Sequence, residues 1–275
     1  MNSKGFDEYG YYGENNPPLP STNKIREMTE EERKASIERE KANSVVKTKG
    51  MIEATYIDHM GSDLSVVNAA RVSFGKKHDS FQDKDTKLIQ YLAKHKHLSP
   101  FGHAFASFHV KAPIFVARQL VKHKFLRWNE ISRRYVDEEP EFYVPNVWRG
   151  RSADKKQGSD GVVNLDSINS DGDPYEGRFG EGTMNESIEH GLEFLLQDYK
   201  LLLQAGVAPE QARMILPQST MTEWYWSGSL DAFAAMCKLR CASDTQYESR
   251  IVAEQISELM KQLFPVSWEA LLDAS

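Results

Sequence analysis

The sequence predicts a mixed α+β fold, helix-rich towards the C-terminus, and two patterns predict it. Over residues 104–112 Ala, Ala, Phe and Val alternate with Phe, Ser, His and Lys, the period of a half-buried strand. Beyond residue 185 the apolar spacing becomes helical. Ile188, Leu192, Leu195, Tyr199 and Leu202 share one face of a helix over 185–205, which Gly206 stops. A hydrophobic content of 40% in 275 residues suffices for one large core, read as a single catalytic domain over 51–275.

Residues 1–50 form an N-terminal extension. Gly, Tyr, Asn and Pro make its first 20 or so residues irregular. Thr29-Glu30-Glu31-Glu32 then opens a charged helix to residue 41, with almost no apolar stripe, suited to the surface or to another chain. The domain begins with a strand at 51–58 and a helix at 64–72 that runs into Arg71-Val72-Ser73-Phe74. A second helix spans 83–94 with Leu88, Ile89 and Leu92 inward, and residues 97–103 form a loop. The strand at 104–112 feeds a helix whose first turn suits Pro113. Residues 150–182, rich in Gly, Ser, Asp and Asn, read as a long flexible loop inserted into the domain. Its Asp166, Asn169, Asp171 and Asp173 lack the closing Glu of a calcium loop. Pro209 opens a short helix carrying Arg213 and ended by Pro217; residues 218–226 are strand-like. Ser229 caps a helix bearing Phe233, Met236, Leu239 and Arg240. Asp244 caps the last long helix, with Tyr247, Ile251, Ile256 and Leu259 inward, before Pro265.

Composition excludes several classes. No apolar run reaches bilayer length, and the N-terminal residues do not read as a signal peptide. Cys237 and Cys241, four apart on one helix, suit free packing thiols in a reducing cytoplasm. His95, His97 and His103 match no zinc spacing and have no acid among them, so no metal is expected. A net charge of -6 argues against general nucleic-acid binding and leaves any anionic ligand to a local cluster.

That cluster is residues 117–135, A-R-Q-L-V-K-H-K-F-L-R-W-N-E-I-S-R-R-Y, between the apolar flanks A-P-I-F-V-A and E-F-Y-V-P. At helical spacing Gln119, Lys122 and His123 share a face. Ser132-Arg133-Arg134 supplies a hydroxyl, backbone donors and two cationic forks, which suits a phosphate dianion. Ser132 could alternatively be a nucleophile beside His123, but no orienting acid is evident, and the binding role is preferred.

A His between two cations, followed after seven residues by Ser, then a basic residue and Tyr, resembles the signature of the flavin-dependent thymidylate synthases. Here it reads Lys122-His123-Lys124, then Ser132, Arg134 and Tyr135. The likeness extends over about 51–270, through R-V-S-F at 71–74, H-L-S-P-F-G-H at 97–103, F-H-V-K-A-P-I-F-V-A-R-Q at 108–119, E-F-Y-V-P at 141–145, A-R-M-I-L-P at 212–217 and L-R-C-A-S at 239–243. It implies a central sheet with flanking helices and a cytoplasmic homotetramer with shared active sites. The implied reaction is methylation of dUMP to dTMP, with methylenetetrahydrofolate as carbon donor and NADPH reducing a bound FAD. It assigns Arg240 as the cation that polarises the pyrimidine, and Gln119, Glu130, Ser132, Arg133, Arg134 and Arg213 to the nucleotide. Lys122, His123, Lys124, Asn129, Ser229 and Leu239 map to flavin contacts, and His97 and Ser99 to the flavin and folate rim.

The chain departs from the family pattern at Lys122 and Lys124, usually Arg, and at Gly102, usually Glu. Ser229, Asp231, Ala235 and Asp244 stand where the family commonly offers Asn, Arg, Asn and His. The nucleotide set is nearly complete while the flavin set is eroded. Two further readings stay open on sequence alone. One is a relative that transfers a hydroxymethyl group to the pyrimidine nucleotide without hydride reduction; the other is a nucleotide-binding subunit without turnover.

Overall fold

A computed structural model describes residues 50–136, 138–153, 158–165 and 184–274, all within a unit spanning Val46–Ser275. The expected charged helix at 29–41 and most of the extension and insertion lie outside the described residues.

Four antiparallel strands make the main sheet: β1 (Glu53–Met60), β2 (Phe105–Pro113), β3 (Leu126–Glu130) and β6 (Met221–Ser229), in the order β1-β2-β6-β3. The register runs from Glu53 opposite Lys111 to Met60 opposite Phe105, and from Phe105 opposite Ser229 to Pro113 opposite Met221. Alternation then sends Ala106, Phe108, Val110 and Ala112 of β2 to the same buried face as Trp224 and Trp226 of β6. On that face Phe108 meets Phe233 edge-on at 5.2 Å, and Trp128 stacks on Trp224 at 4.2 Å.

The flanking helices are α1 (Asp63–Arg71), α2 (Asp83–Lys94), α3 (Ile114–Leu120), α4 (Met184–Gln204), α5 (Pro209–Ala212), α6 (Leu230–Arg240), α7 (Tyr247–Leu263) and α8 (Pro265–Asp273). Phe233, Met236, Val252, Ile256, Met260, Phe264 and Trp268 bring α6, α7 and α8 into the core, joined by Val66, Val67 and Ile89 from α1 and α2. Asp63 ties the two ends of the domain together. Its carboxylate accepts the N–H groups of Val266 and Ser267 at 3.1 and 2.9 Å, capping α8 from a distant part of the chain. Asp85 is fully buried and accepts from Arg71 at 2.7 Å and His78 at 3.0 Å. Burial opposes its charge, yet these bonds and the Gln82 N–H hold its carboxyl below the ordinary value.

Four expectations need correction. Pro113 is the last residue of β2 and the N-cap of α3 rather than a first-turn residue. That helix ends at Leu120, and the chain turns through 121–125, with Phe125 at φ 65, into β3. Lys122 and His123 therefore do not share a helical face with Gln119. The reason is tertiary: Leu126 and Trp128 pack inward and the strand pairs with β6, which outweighs helical propensity in the charged stretch.

The last long helix is capped by Gln246, not Asp244, and buries Ser249, Val252, Ala253, Ile256 and Met260 rather than Tyr247 and Ile251, with Leu259 half-buried against the core. Small residues on that face admit α6 closely enough for the Cys237 thiol to reach the Ala253 carbonyl at 3.5 Å. The start of the supposed loop at 150–182 carries a two-stranded ribbon, β4 (Trp148–Arg151) and β5 (Ser159–Val163). Among the described residues no helix is long and apolar enough to cross a membrane.

Candidate active site

Arg240 is the last residue of α6, where the helix dipole favours a cation. Its Nε donates to His123 Nε2 at 2.9 Å, Nη1 to Gln119 Oε1 at 3.3 Å, and Nη2 to the Gln119 carbonyl at 3.4 Å. A guanidinium has five N–H donors and no acceptor. These bonds leave one N–H on each Nη without a partner among the described residues. Because Arg240 can only donate, His123 Nε2 carries no proton, and the neutral ring holds its hydrogen on Nδ1. Burial, and then the charge of Arg240, bring the His123 pKa down to about 4. Burial also lowers the Arg240 pKa from its ordinary value. The pair is thus a fixed cation beside a neutral imidazole.

Gln119, at the end of α3, is held on both sides. Its Oε1 also accepts the Ser249 hydroxyl at 3.2 Å, and its Nε2 donates to Gln246 Oε1. Gln246 in turn donates to Glu248 Oε2 at 3.4 Å. Glu248 is 4% exposed and pairs through Oε1 with Arg149 of β4 at 2.7 Å; the Tyr143 hydroxyl donates to Oε1 as well, at 3.4 Å. Burial first, then the Glu248 charge, push the Tyr143 phenol up to about 12. Phe115, Tyr143, Trp148, Arg149, Gln246 and Glu248 line a cleft of about 280 Å³ here. Sequence reasoning missed Tyr143, Arg149, Gln246, Glu248 and Ser249 as site residues. The only available signal was polar density in T-Q-Y-E-S, a few residues beyond Arg240, on what reads as the edge of a helix.

The predicted phosphate group lies in the turn after β3. Ser132 Oγ accepts from the Arg134 backbone N–H and from its Nε, both at 3.4 Å, and Arg134 stands 5.1 Å from the Tyr135 ring. Arg133 Nη1 donates to the Glu138 carbonyl at 2.6 Å. Glu130 accepts the Thr222 hydroxyl at 2.6 Å and the Trp128 indole N–H at 3.0 Å, which aims its carboxylate at the strand end. Asn129 is exposed on β3, the edge strand of the sheet.

Lys122 and Lys124 are exposed in the turn before β3, with Phe125 82% exposed beside them. His97 and Ser99 are exposed at the end of α2, with His97 stacked on Tyr91. Leu239 is exposed, Ser229 is buried, and Arg213 is exposed in the turn after α5. Gln119, His123 and Arg240 are thus brought together by hydrogen bonds. Among the described residues none links Ser132, Arg133, Arg134, Arg213, His97 or Ser99 to that cluster.

The departures have structural correlates. A Cβ on Gly102 would meet nothing within 4 Å, so packing does not demand glycine. Asp231 Oδ1 is buried without a hydrogen-bond partner among the described residues. Ala235 is exposed, and the Asp244 carbonyl lies 3.0 Å from where a Cβ on Gly158 would stand.

Fold and site together define an α+β protein with a preorganised arginine fork beside the edge of an antiparallel sheet. The family model described as thymidylate synthase complementing protein matches residues 55–266, and the chain belongs to that family. It is 41% identical over 217 residues to a flavin-dependent thymidylate synthase of Kosmotoga olearia, covering 79% of this chain and 88% of that one. It is 38% identical over 218 residues to one of Thermus thermophilus, covering 78% and 73%. Among solved structures, it resembles the UMP/dUMP methylase PolB of Streptomyces cacaoi bound with 5-Br dUMP. The TM-score is 0.65 at 31% identity, over 81% of this chain and 95% of that one.

Proposed function

We propose that the chain is a flavin-dependent thymidylate synthase, converting dUMP to dTMP with methylenetetrahydrofolate as carbon donor, FAD as cofactor and NADPH as reductant. The observation that carries this reading is the Arg240 fork, held by a neutral His123 and by Gln119. For C5 of a uracil to attack an electrophilic carbon, the ring must first be polarised, with negative charge drawn onto its O2/N3 edge. A fixed guanidinium with two unspent N–H groups stabilises that charge without reorganising at the moment of reaction. Arg240 keeps its charge at any working pH, and His123 orients it without adding a second charge.

Ser132, Arg133 and Arg134 are assigned to the 5′-phosphate, with Glu130 and Gln119 positioning the sugar and base. Arg213 is assigned to the nucleotide of another subunit. It is exposed and apart from the Arg240 cluster, and its neighbour Met214 is 80% exposed, as is suited to cover by a second copy. That supports a homotetramer with shared sites; the folate-binding rim is assigned to His97 and Ser99, both exposed.

The residues present fit FAD. The exposed ammonium groups of Lys122 and Lys124 suit a diphosphate, Phe125 offers an aromatic surface, and the Asp231 oxygen, without a partner among the described residues, can accept a sugar hydroxyl. The Phe125 carbonyl lies 3.1 Å from where a Cβ on Gly228 would stand, which puts this corner beside the start of α6. Bound there, the flavin supplies the hydride that completes the methyl group. Asn129, Ser229 and Leu239 complete the proposed contacts, with Leu239 contributing from an exposed position.

The test is the purified full chain with FAD, NADPH, methylenetetrahydrofolate and dUMP, read by chromatography of the nucleotides and by the visible spectrum. Formation of dTMP and a dUMP-dependent shift of the bound-flavin spectrum are expected. A hydroxymethylated nucleotide as the end product, or binding of dUMP with no turnover, would overturn the proposal.

A further inference from the structure

The Arg240 cluster does not end at Gln119. Arg240 can only donate hydrogen bonds, and a Glu248 carboxylate paired with Arg149 can only accept them. Those two ends fix every amide between them. Gln119 must turn its oxygen to Arg240 and its NH2 to Gln246; Gln246 must turn its oxygen to Gln119 and its NH2 to Glu248. Reversing either amide would set NH2 against guanidinium or oxygen against carboxylate. The chain therefore has one direction, and its far end is clamped by the β4 ribbon through Arg149, whose guanidinium also lies over the Tyr247 ring at 4.6 Å. Among the described residues, Gln246, Glu248 and Arg149 make no hydrogen bond to Arg240 itself. Four consecutive partners holding one side chain exceed what packing at the end of a helix requires.

We propose that Gln246 and Glu248 are positioning residues for Arg240, acting through Gln119, and that Arg149 of the ribbon holds Glu248 in place. The inference rests on Arg240 being the cation that polarises the pyrimidine. Its consequence is a separation of kinetic effects. The fork matters most as charge develops on the ring, so a loosened Gln119 lowers kcat more than it weakens nucleotide binding.

The experiment compares the parent enzyme with Gln246→Met, Glu248→Leu, Glu248→Gln and Arg240→Ala. Each is assayed for dTMP formation, for dUMP affinity by calorimetry and for thermal midpoint. Gln246→Met is close to isosteric, and Gln246 is only half-buried, so the fold is retained. A misplaced catalytic group costs about 10- to 100-fold, which is the fall in kcat expected for Gln246→Met and Glu248→Leu. For Gln246→Met, affinity for dUMP should stay within about threefold and the midpoint within about 2 °C; Glu248→Leu strands the Arg149 charge and should also lower the midpoint, so Gln246→Met carries the stability comparison. Glu248→Gln keeps one acceptor oxygen but sets its NH2 against Arg149 or against Gln246, so its rate should lie between those of the parent and Glu248→Leu.

Parent-like kcat in Gln246→Met, alongside an inactive Arg240→Ala, overturns the positioning role while leaving the polarising role intact. Loss of rate only in step with loss of thermal midpoint overturns it too, because the residues are then simply structural. An active Arg240→Ala overturns the reading on which the inference rests.

Discussion

Arg240→Ala bears on the chemistry and the local electrostatics at once. The guanidinium spends three N–H groups on His123 and Gln119, and in the proposed function the other two are given to the pyrimidine. Removing one preorganised donor from a site of developing charge costs about 2.7–4 kcal/mol, or 10²–10³ in kcat. Two donors and a full charge place the expected loss at about 10³ or more. The fold should survive, because Arg240 is the final helical residue and its bonds reach only neighbouring side chains and one carbonyl.

His123 provides a second readout. Its pKa of about 4 arises from burial first and from Arg240 second, so the substitution should raise it towards 6.5 without reaching that value. Steady-state dTMP formation and an NMR titration of the imidazole measure the two effects separately. Turnover within about tenfold of the parent would refute the polarising role, and an unmoved His123 titration would refute the electrostatic coupling.

Three further outcomes are expected. Arg134→Ala should weaken dUMP binding by about 10- to 100-fold, the value of one hydrogen bond to a charged group, with kcat at saturation less affected; calorimetry with dUMP and with the uncharged nucleoside checks that the lost contact is to phosphate. Because the folded pKa of His123 lies below its ordinary value, the unfolded chain takes up the proton first. Stability should therefore fall as pH drops from 6.5 towards about 4, and urea midpoints of the parent against His123→Asn measure that component. Asp63→Ala removes the cap on α8 and should destabilise the domain by about 1–2 kcal/mol, lowering the thermal midpoint by a few degrees while leaving nucleotide affinity unchanged.

Part of the candidate site was legible in the residue types and motifs themselves. The cations and hydroxyl of Ser132-Arg133-Arg134 are consecutive, and a resemblance across ordered motifs singles out Gln119, His123 and Arg240 without any knowledge of their contacts. The geometry of the charged stretch was not legible. Its spacing fits a helix through His123, but Leu126 and Trp128 find partners on β6, and the chain turns at Phe125 to pair there. The inward set of α7 was misjudged for a similar reason: the choice of Ser249 and Ala253 over Tyr247 and Ile251 depends on how closely α6 approaches.

Sequence alone determined the alternating strand at 104–112, the amphipathic helix ending at Gly206, and the residue types able to hold an anionic nucleotide. These follow from periodicity, from backbone permissiveness and from side-chain chemistry, all written within short windows. Tertiary structure decided which of those groups meet. Arg240 and His123 lie 117 positions apart, and Arg149 lies 99 positions from Glu248. Whether such groups share a hydrogen bond depends on sheet order and helix packing, which result from burying the whole core at once rather than from any one segment.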